Sequence, residues 1–240
     1  MTRTAIGTIV PSHNRIAERT MATLLRHLPG VDSCIARIPC PPDGSVQPAD
    51  AYDGGVYENA AWQLGHAGVA AVAWNGVRGG VLGLARDRAL VSLIAGAAGC
   101  PATTTTLHAA ELLGRFGARR IGILVPGSAA EAQAHVAGFA AAGIVTAATR
   151  GLGCPDYLAA AEVDPKAIAE AARALAAEAA PDALLIWSSN LPSLKIVAPL
   201  EKALGIPVLD GAMVGAAGLL AAAGIATERL ASFGRVFALP

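Results

Sequence analysis

The chain reads as an α/β protein of two pseudo-twofold-related lobes, each with a mainly parallel four-stranded sheet flanked by helices and a cleft between them. Three observations predict this. Apolar runs without alternation, such as Asp182-Ala183-Leu184-Leu185-Ile186-Trp187, fit parallel strands covered on both faces. Strand-like and helix-like segments alternate along the whole length. Landmarks also recur in the same order: Ile9-Val10-Pro11 returns as Leu124-Val125-Pro126, 115 positions on, Ala71–Asn75 as Leu184–Ser188, 113 on, and Gly99–Thr104 as Gly205–Asp210, 106 on. One plan used twice places equivalent strand-end loops on a shared cleft. The expected division is residues 1–117 together with 212–240 for the first lobe, and 118–211 for the second.

In order, Ala5–Val10 reads as a strand, Pro11-Ser12-His13-Asn14 as its loop, and the following segment as a helix to about Leu28. A strand, a polar loop and a helix N-terminus together make an expected anion cradle. Val31–Ile38 is a weaker strand, and Pro39–Asp53 is a long irregular connection of the kind that forms a pocket wall. Tyr57–Ala67 is helical, Val69–Trp74 a strand ending in Asn75-Gly76-Val77-Arg78, Arg88–Ala98 a helix, Pro101–Thr103 a short strand, and Thr104-Thr105-Thr106 opens a helix to about Arg115. The pattern then restarts. Arg120–Val125 is a strand, Pro126-Gly127-Ser128 leads into a helix to about Ala142, and Ile144–Thr149 is a strand. The loop Gly151–Tyr157 precedes a helix over Pro165–Ala179, with Asp164-Pro165 as N-cap and first helical residue. Ala183–Trp187 is the next strand, Pro192 is placed in the first turn of a helix to about Leu204, Pro207–Leu209 is a strand, and Ala212–Ala223 is the last long helix.

Composition excludes several classes of function. Lys+Arg and Asp+Glu both total 18, so no basic field is present to hold a phosphate backbone and nucleic-acid binding is disfavoured. Apolar runs are too short or too interrupted to span a bilayer, and a strand follows Met1-Thr2-Arg3-Thr4 directly, which makes a cytoplasmic location the expectation and a membrane partner unexpected. The Ala- and Gly-rich helices carry few charges and invite a homo-oligomer. Cys34, Cys40, Cys100 and Cys154 show neither metal-ligand nor disulfide spacing, so no metal site is expected.

Pooling the strand ends gives Ser12, His13 and Asn14; Asn75, Gly76, Val77 and Arg78; Gly127 and Ser128; Ser188, Ser189 and Asn190. This set is rich in hydroxyls, amides and glycine N–H groups and poor in carboxylates, which suits a small carboxylate or dicarboxylate ligand. No dinucleotide, phosphate-loop or nucleophile-elbow motif occurs, so no cofactor is expected.

The run Ile9–Asn14, the Gly-Ser-Val-x-Pro of Gly44–Pro48 with Tyr52-Asp53, the paired loops, Ser189-Asn190-Leu191-Pro192-Ser193-Leu194 and the terminal Gly234-Arg235-Val236-Phe237 together resemble the Asp/Glu racemase superfamily, nearest its maleate isomerase and arylmalonate decarboxylase branch. The resemblance covers essentially the whole chain. It implies two α/β lobes, proton transfer or addition beside a carboxylate, and no cofactor. It also implies that the second-lobe catalytic cysteine is replaced by Ser188 and that the first-lobe cysteine falls on Gly76, as in the decarboxylases. The maleate-binding asparagine falls on Asn14, and the pocket tyrosine falls on or near Gly127, leaving Tyr157 as a substitute if it points inward.

A serine hydroxyl is a far weaker acid than a thiol and needs a neighbouring base to act as a nucleophile. His13 is the nearest helper by loop position, and also an ordinary loop histidine. His27, His66, His108 and His135 are read as solvated or packing residues. Arg78 can fork a carboxylate or lie on the surface; Asp210 can orient a partner or cap a helix; Trp74 and Trp187 are read as packing ends of matched strands. Two functions stay open. One is a cofactor-independent lyase or isomerase on a small carboxylic acid, with Ser188 and His13 catalytic. The other is a non-catalytic carboxylate-binding or regulatory protein that retains the cleft. Hydrolysis through a Ser188–His13 pair is a third reading.

Overall fold

Residues 3–41, 43, 45 and 48–238 are described by a computed structural model; Gly44, Val46 and Gln47 of the expected pocket wall, and Pro42, lie outside the described residues. The first lobe runs β1 (Thr4–Pro11), α1 (Ile16–Leu25), β2 (Val31–Ile38), α2 (Gly54–His66), β3 (Val72–Trp74), α3 (Gly79–Leu82), α4 (Leu84–Ala98), β4 (Ala102–Thr104) and α5 (Thr105–Arg115). The chain continues as β5 (Arg120–Val125), α6 (Ala129–Ala140), β6 (Val145–Gly151), α7 (Tyr157–Ala160), α8 (Pro165–Ala179), β7 (Ala183–Ile186), α9 (Leu194–Leu204), β8 (Val208–Asp210) and α10 (Gly211–Ala222). Two 3₁₀ stretches, Glu228–Phe233 and Arg235–Phe237, end it.

The apolar runs are buried along their length, as strands covered on both faces must be: Ala183 to Ile186 and Ile121 to Val125 are all inaccessible to solvent. Two parallel four-stranded sheets result, ordered β2-β1-β3-β4 and β6-β5-β7-β8. Helix α10 is almost uniformly apolar and small, and ten of its residues are buried. It packs on α5, α1, β3 and β4. Gly215 and Gly218 let it come against the side chains of Asn75 and His108.

Register corrects one of the three repeat offsets. Ile9 pairs with Trp74 and Trp74 with Thr104; Leu124 pairs with Ile186 and Ile186 with Asp210. With Ile9 equivalent to Leu124, Trp74 is equivalent to Ile186, an offset of 112 rather than 113. The matching of Trp74 with Trp187 is therefore wrong by one residue, and a one-residue slip turns side chains to the opposite face. Gly76 and Ser188 become the equivalent pair.

The other departures are local. Helix α1 stops at Leu25 and a tight turn carries the chain to Leu28. Gly83, at φ +87°, separates α3 from α4. The expected loop before α8 contains the short α7, capped by Asp156. Pro192 is not in the first turn of α9, which begins at Leu194 after Ser193.

Each lobe ends its sheet with a buried carboxyl–hydroxyl pair. Thr104 Oγ1 donates to Asp87 and accepts from Leu107 N, while Asp210 accepts from Ser193 Oγ and from Met213 N. Both side-chain bonds span 17 positions. Asp210 thus caps α10, the role expected of it as an N-cap.

Candidate functional site

The carboxyl ends of both sheets converge on a cavity of about 190 Å³, where ligands of open parallel sheets bind. Ser188, Ser189 and Asn190 enter from the end of β7; Gly76, Val77 and Arg78 from the end of β3; His13 from the β1 loop; and Tyr157 from the start of α7. Eight of the expected site residues are therefore brought together.

Ser188 is buried, and its Oγ accepts the Asn190 N–H at 3.0 Å. Its own proton is not engaged by any described residue. His13 is bonded through Nδ1 to the Cys40 carbonyl (2.7 Å) and stacks on Tyr157, ring centroids 5.0 Å apart. As the carbonyl can only accept, Nδ1 carries the proton and Nε2 is the free acceptor. Burial lowers the His13 pKa, so the ring is neutral at pH 7. No hydrogen bond joins His13 to Ser188, and the Ser–His pair is not formed. Burial also raises the Tyr157 hydroxyl, to about 12.

Arg78 donates to the Pro48 carbonyl, which ties the long connection to the cavity rim, and its Nε is buried with no partner among the described residues. Of the expected wall Pro39–Asp53, Cys40 lines the cavity.

Five expected site residues do not line the cavity, and each has a physical reason. Asn14 is fully buried and clamps the lobes: its Nδ2 donates to Ser189 O (3.0 Å) and Ser189 Oγ (2.8 Å), and its Oδ1 accepts from Ala17 N. Ser12 is exposed and exchanges hydrogen bonds with the Cys40 backbone. Asn75 donates to Ala212 O, Ser128 caps α6 by accepting from Glu131 N, and Gly127 borders a neighbouring pocket instead. The expected anion cradle at α1 is closed as well. Asn190 Oδ1 accepts from Arg15 N (3.0 Å) and Ile16 N (3.2 Å), so two amides at that helix start are capped from the other lobe and the next, Ala17 N, by Asn14.

Sequence reasoning missed several lining residues. Glu131 and His135 are four apart on α6 and so share one helix face, a spacing that was available as a signal. Burial raises the Glu131 carboxyl above its ordinary value, opposed by the Gly127 N–H. Burial also lowers His135 to about 4, so this histidine is neutral, and its Nδ1 has no partner among the described residues. His135 was read as a solvated or packing residue; it packs edge-on to Trp187 and lines the cavity. Trp74 and Trp187 are buried as packing residues, yet both form cavity wall. A side chain at Gly127 would overlap Glu131 Oε2, so the Glu131 carboxyl fills the place of a residue-127 side chain.

A family model described as arylmalonate decarboxylase matches residues 48–237, most of the chain. The chain belongs to the arylmalonate decarboxylase family. This is the branch that its landmarks resemble. No curated protein sequence is a significant match. The fold is shared with the maleate isomerase of Pseudomonas putida solved with maleate (20% identity, TM-score 0.85) and with a liganded variant of arylmalonate decarboxylase (23%, 0.84). It is shared also with a Nocardia farcinica maleate cis-trans isomerase variant holding a covalently bound succinylcysteine intermediate (23%, 0.83). Each alignment covers 98% of both chains. By register, Gly76 and Ser188 hold equivalent strand-end positions in the two lobes of this chain. Among the described residues no helix is long and apolar enough to cross a membrane, and no cluster of metal-ligating side chains occurs.

Proposed function

We propose that the chain is a lyase or isomerase that works without a cofactor on a small carboxylic or dicarboxylic acid, with Ser188 at the reacting face. The observation that carries this reading is the state of Ser188: a buried hydroxyl on the cavity wall, held by an amide N–H and with its proton uncommitted. A carbanion formed beside a carboxylate is strongly basic, so a hydroxyl suffices to protonate it. The Asn190 N–H, 3.0 Å from Oγ, stabilises the oxyanion that this transfer leaves. The Arg78 guanidinium and the strand-end N–H groups hold the ligand carboxylate; water in the cavity returns the proton to the Ser188 oxyanion, and His13 Nε2, an unprotonated acceptor, orients that water.

The experiment is a panel of malonates, maleate and small hydroxy and amino acids, assayed for CO₂ release and for proton exchange at the α carbon in heavy water by NMR. Turnover lost in Ser188→Ala supports the proposal; a ligand that binds while no compound exchanges or loses CO₂ overturns it.

One observation favours the non-catalytic alternative, a carboxylate-binding or regulatory protein. No basic side chain bonds Ser188: His13 Nε2, the free acceptor, makes no hydrogen bond to it. Under this reading the parent binds carboxylates without turnover, and Ser188→Cys gains activity.

A further inference from the structure

Helix α6 gives the cavity two polar side chains that the chemistry proposed above does not use. Glu131 and His135 stand one turn apart on the face that lines it, so their Cβ atoms lie about 5–6 Å from each other. Glycines bring that face in. A Cβ at Gly138 would overlap the Gly80 carbonyl oxygen, so α6 rests directly on the backbone of α3, and the bare Gly127 leaves room for the Glu131 carboxyl.

The ring of His135, 3% exposed, is held in one orientation. A Cβ built on Gly80 would be 2.6 Å from His135 Nδ1 and 2.6 Å from Trp187 Nε1, so the two nitrogens converge over the same glycine. Both are sealed from solvent, and neither has a hydrogen-bond partner among the described residues. An indole N–H only donates. A proton on Nδ1 would set two donors against each other, whereas a bare Nδ1 sets an acceptor beside a donor. The ring is uncharged, so its one proton goes to Nε2. Of the two ring nitrogens only Nδ1 is both sealed and unpartnered, which leaves Nε2 on the side that gives onto the cavity. One face of α6 therefore offers a donor, His135 Nε2–H, and an acceptor, the Glu131 carboxylate, which forms no ion pair among the described residues.

We propose that this donor–acceptor pair reads the far end of the ligand: the cavity takes a small carboxylic acid whose substituent carries a hydroxyl or a primary carboxamide. The inference rests on the carboxylate-binding role proposed for the cavity, and not on turnover. A hydroxyl and a carboxamide both donate and accept, so each gives a hydrogen bond to Glu131 and takes one from His135. Other common ends fail on one partner or on both. An ammonium meets Glu131 but turns only donors to the His135 N–H. A second carboxylate meets His135 but sets like charge against Glu131, and a methyl or phenyl group strands both.

The test is calorimetric binding, at about pH 8 and so above the ordinary carboxylate range, of short straight-chain carboxylates that differ only at the far end: hydroxyl, carboxamide, ammonium, carboxylate, methyl or phenyl. The hydroxyl or the carboxamide acid is expected to bind the parent at least about tenfold more tightly than the methyl acid, and the ammonium and carboxylate acids are not. Equal binding across the series, or tightest binding by any other end, overturns the inference and leaves the carboxylate-binding role standing. Failure of every acid to bind overturns both. Two variants assign the preference. His135→Phe keeps a ring and removes the donor, and is expected to abolish the advantage of the hydroxyl or carboxamide while the methyl acid binds as before. Glu131→Gln removes the charge and is expected to admit the second carboxylate. A preference unchanged in both variants overturns the inference. Nitrogen NMR of the histidine-labelled parent needs neither variant to fold: at the buried histidine Nε2 is expected to carry the proton and Nδ1 to be bare, and the opposite tautomer overturns the inference.

Discussion

Replacing Asn190 by alanine removes three hydrogen bonds that cross between segments far apart in sequence. Oδ1 accepts from the amides of Arg15 and Ile16, and Nδ2 donates to the Tyr157 carbonyl at 2.7 Å. Each bond is worth about 0.5–1.5 kcal/mol net, and stranding a buried donor costs about 1–3 kcal/mol. Ile16 is 2% exposed, so water cannot replace its lost acceptor without the helix start moving. The expected loss is about 3 kcal/mol, larger than the typical N-cap value of about 1 kcal/mol. For a chain of this size that is a fall of about 6–12 °C in melting temperature. The assay is calorimetric melting together with amide hydrogen exchange. Exchange should accelerate at Arg15 and Ile16, whereas Ala17 N, held by Asn14 Oδ1 within its own lobe, serves as the internal reference. Asn190→Asp keeps the oxygen that accepts both amides and should recover part of the loss. A melting temperature within about 1 °C of the parent, with unchanged exchange at Arg15 and Ile16, would refute the reasoning.

Three further outcomes are expected. Asp210 is fully buried, and that burial raises its carboxyl to about 7 against 3.8 for the free side chain. Its contribution is therefore complete below about pH 4 and is lost as pH rises through about 7, by about 4 kcal/mol at roughly 1.4 kcal/mol per pH unit; urea unfolding across pH 4–8 should show a steeper loss of stability in the parent than in Asp210→Asn, where only the other buried carboxyls still titrate. Glu131 faces the cavity with its carboxyl raised by burial, beside Tyr157 and Cys154, so a malonate titrated by calorimetry should bind more tightly as pH falls through its pKa, and Glu131→Gln should flatten the profile. A side chain at Gly138 would overlap the Gly80 carbonyl oxygen, where α6 meets α3, so Gly138→Ala should cost about 1–3 kcal/mol in denaturant unfolding.

The architecture was legible because burial on both faces leaves a plain trace: runs such as Arg120–Val125 and Ala183–Ile186 carry no polar alternation. The repeat was legible too, but its middle offset was not, since Trp74 and Trp187 attract the eye while register follows Trp74 and Ile186. At the cavity, sequence located the loops better than the roles. Asn14 and Asn190 have the chemistry of carboxylate ligands, yet free amides at the start of α1 compete for the same groups and win. Nothing local in Trp74-Asn75-Gly76 reveals that the indole lies over the glycine, because Tyr57, from a different helix, fixes its orientation. The α6 face of Glu131 and His135 was within reach of helical spacing.

The two buried carboxyl–hydroxyl pairs have a consequence for how the halves relate. Asp87 and Ser193 stand 106 positions apart, as do Thr104 and Asp210, so the acid sits on the helix in one lobe and on the strand end in the other. The halves are mirror-wired rather than interchangeable parts. Grafting the α4 segment with Asp87 in place of α9 and its preceding Ser193 would set one carboxyl against another at Asp210, and the reverse graft would leave two hydroxyls facing each other at Thr104. A chimera that repeats either half would need both members of the pair exchanged together.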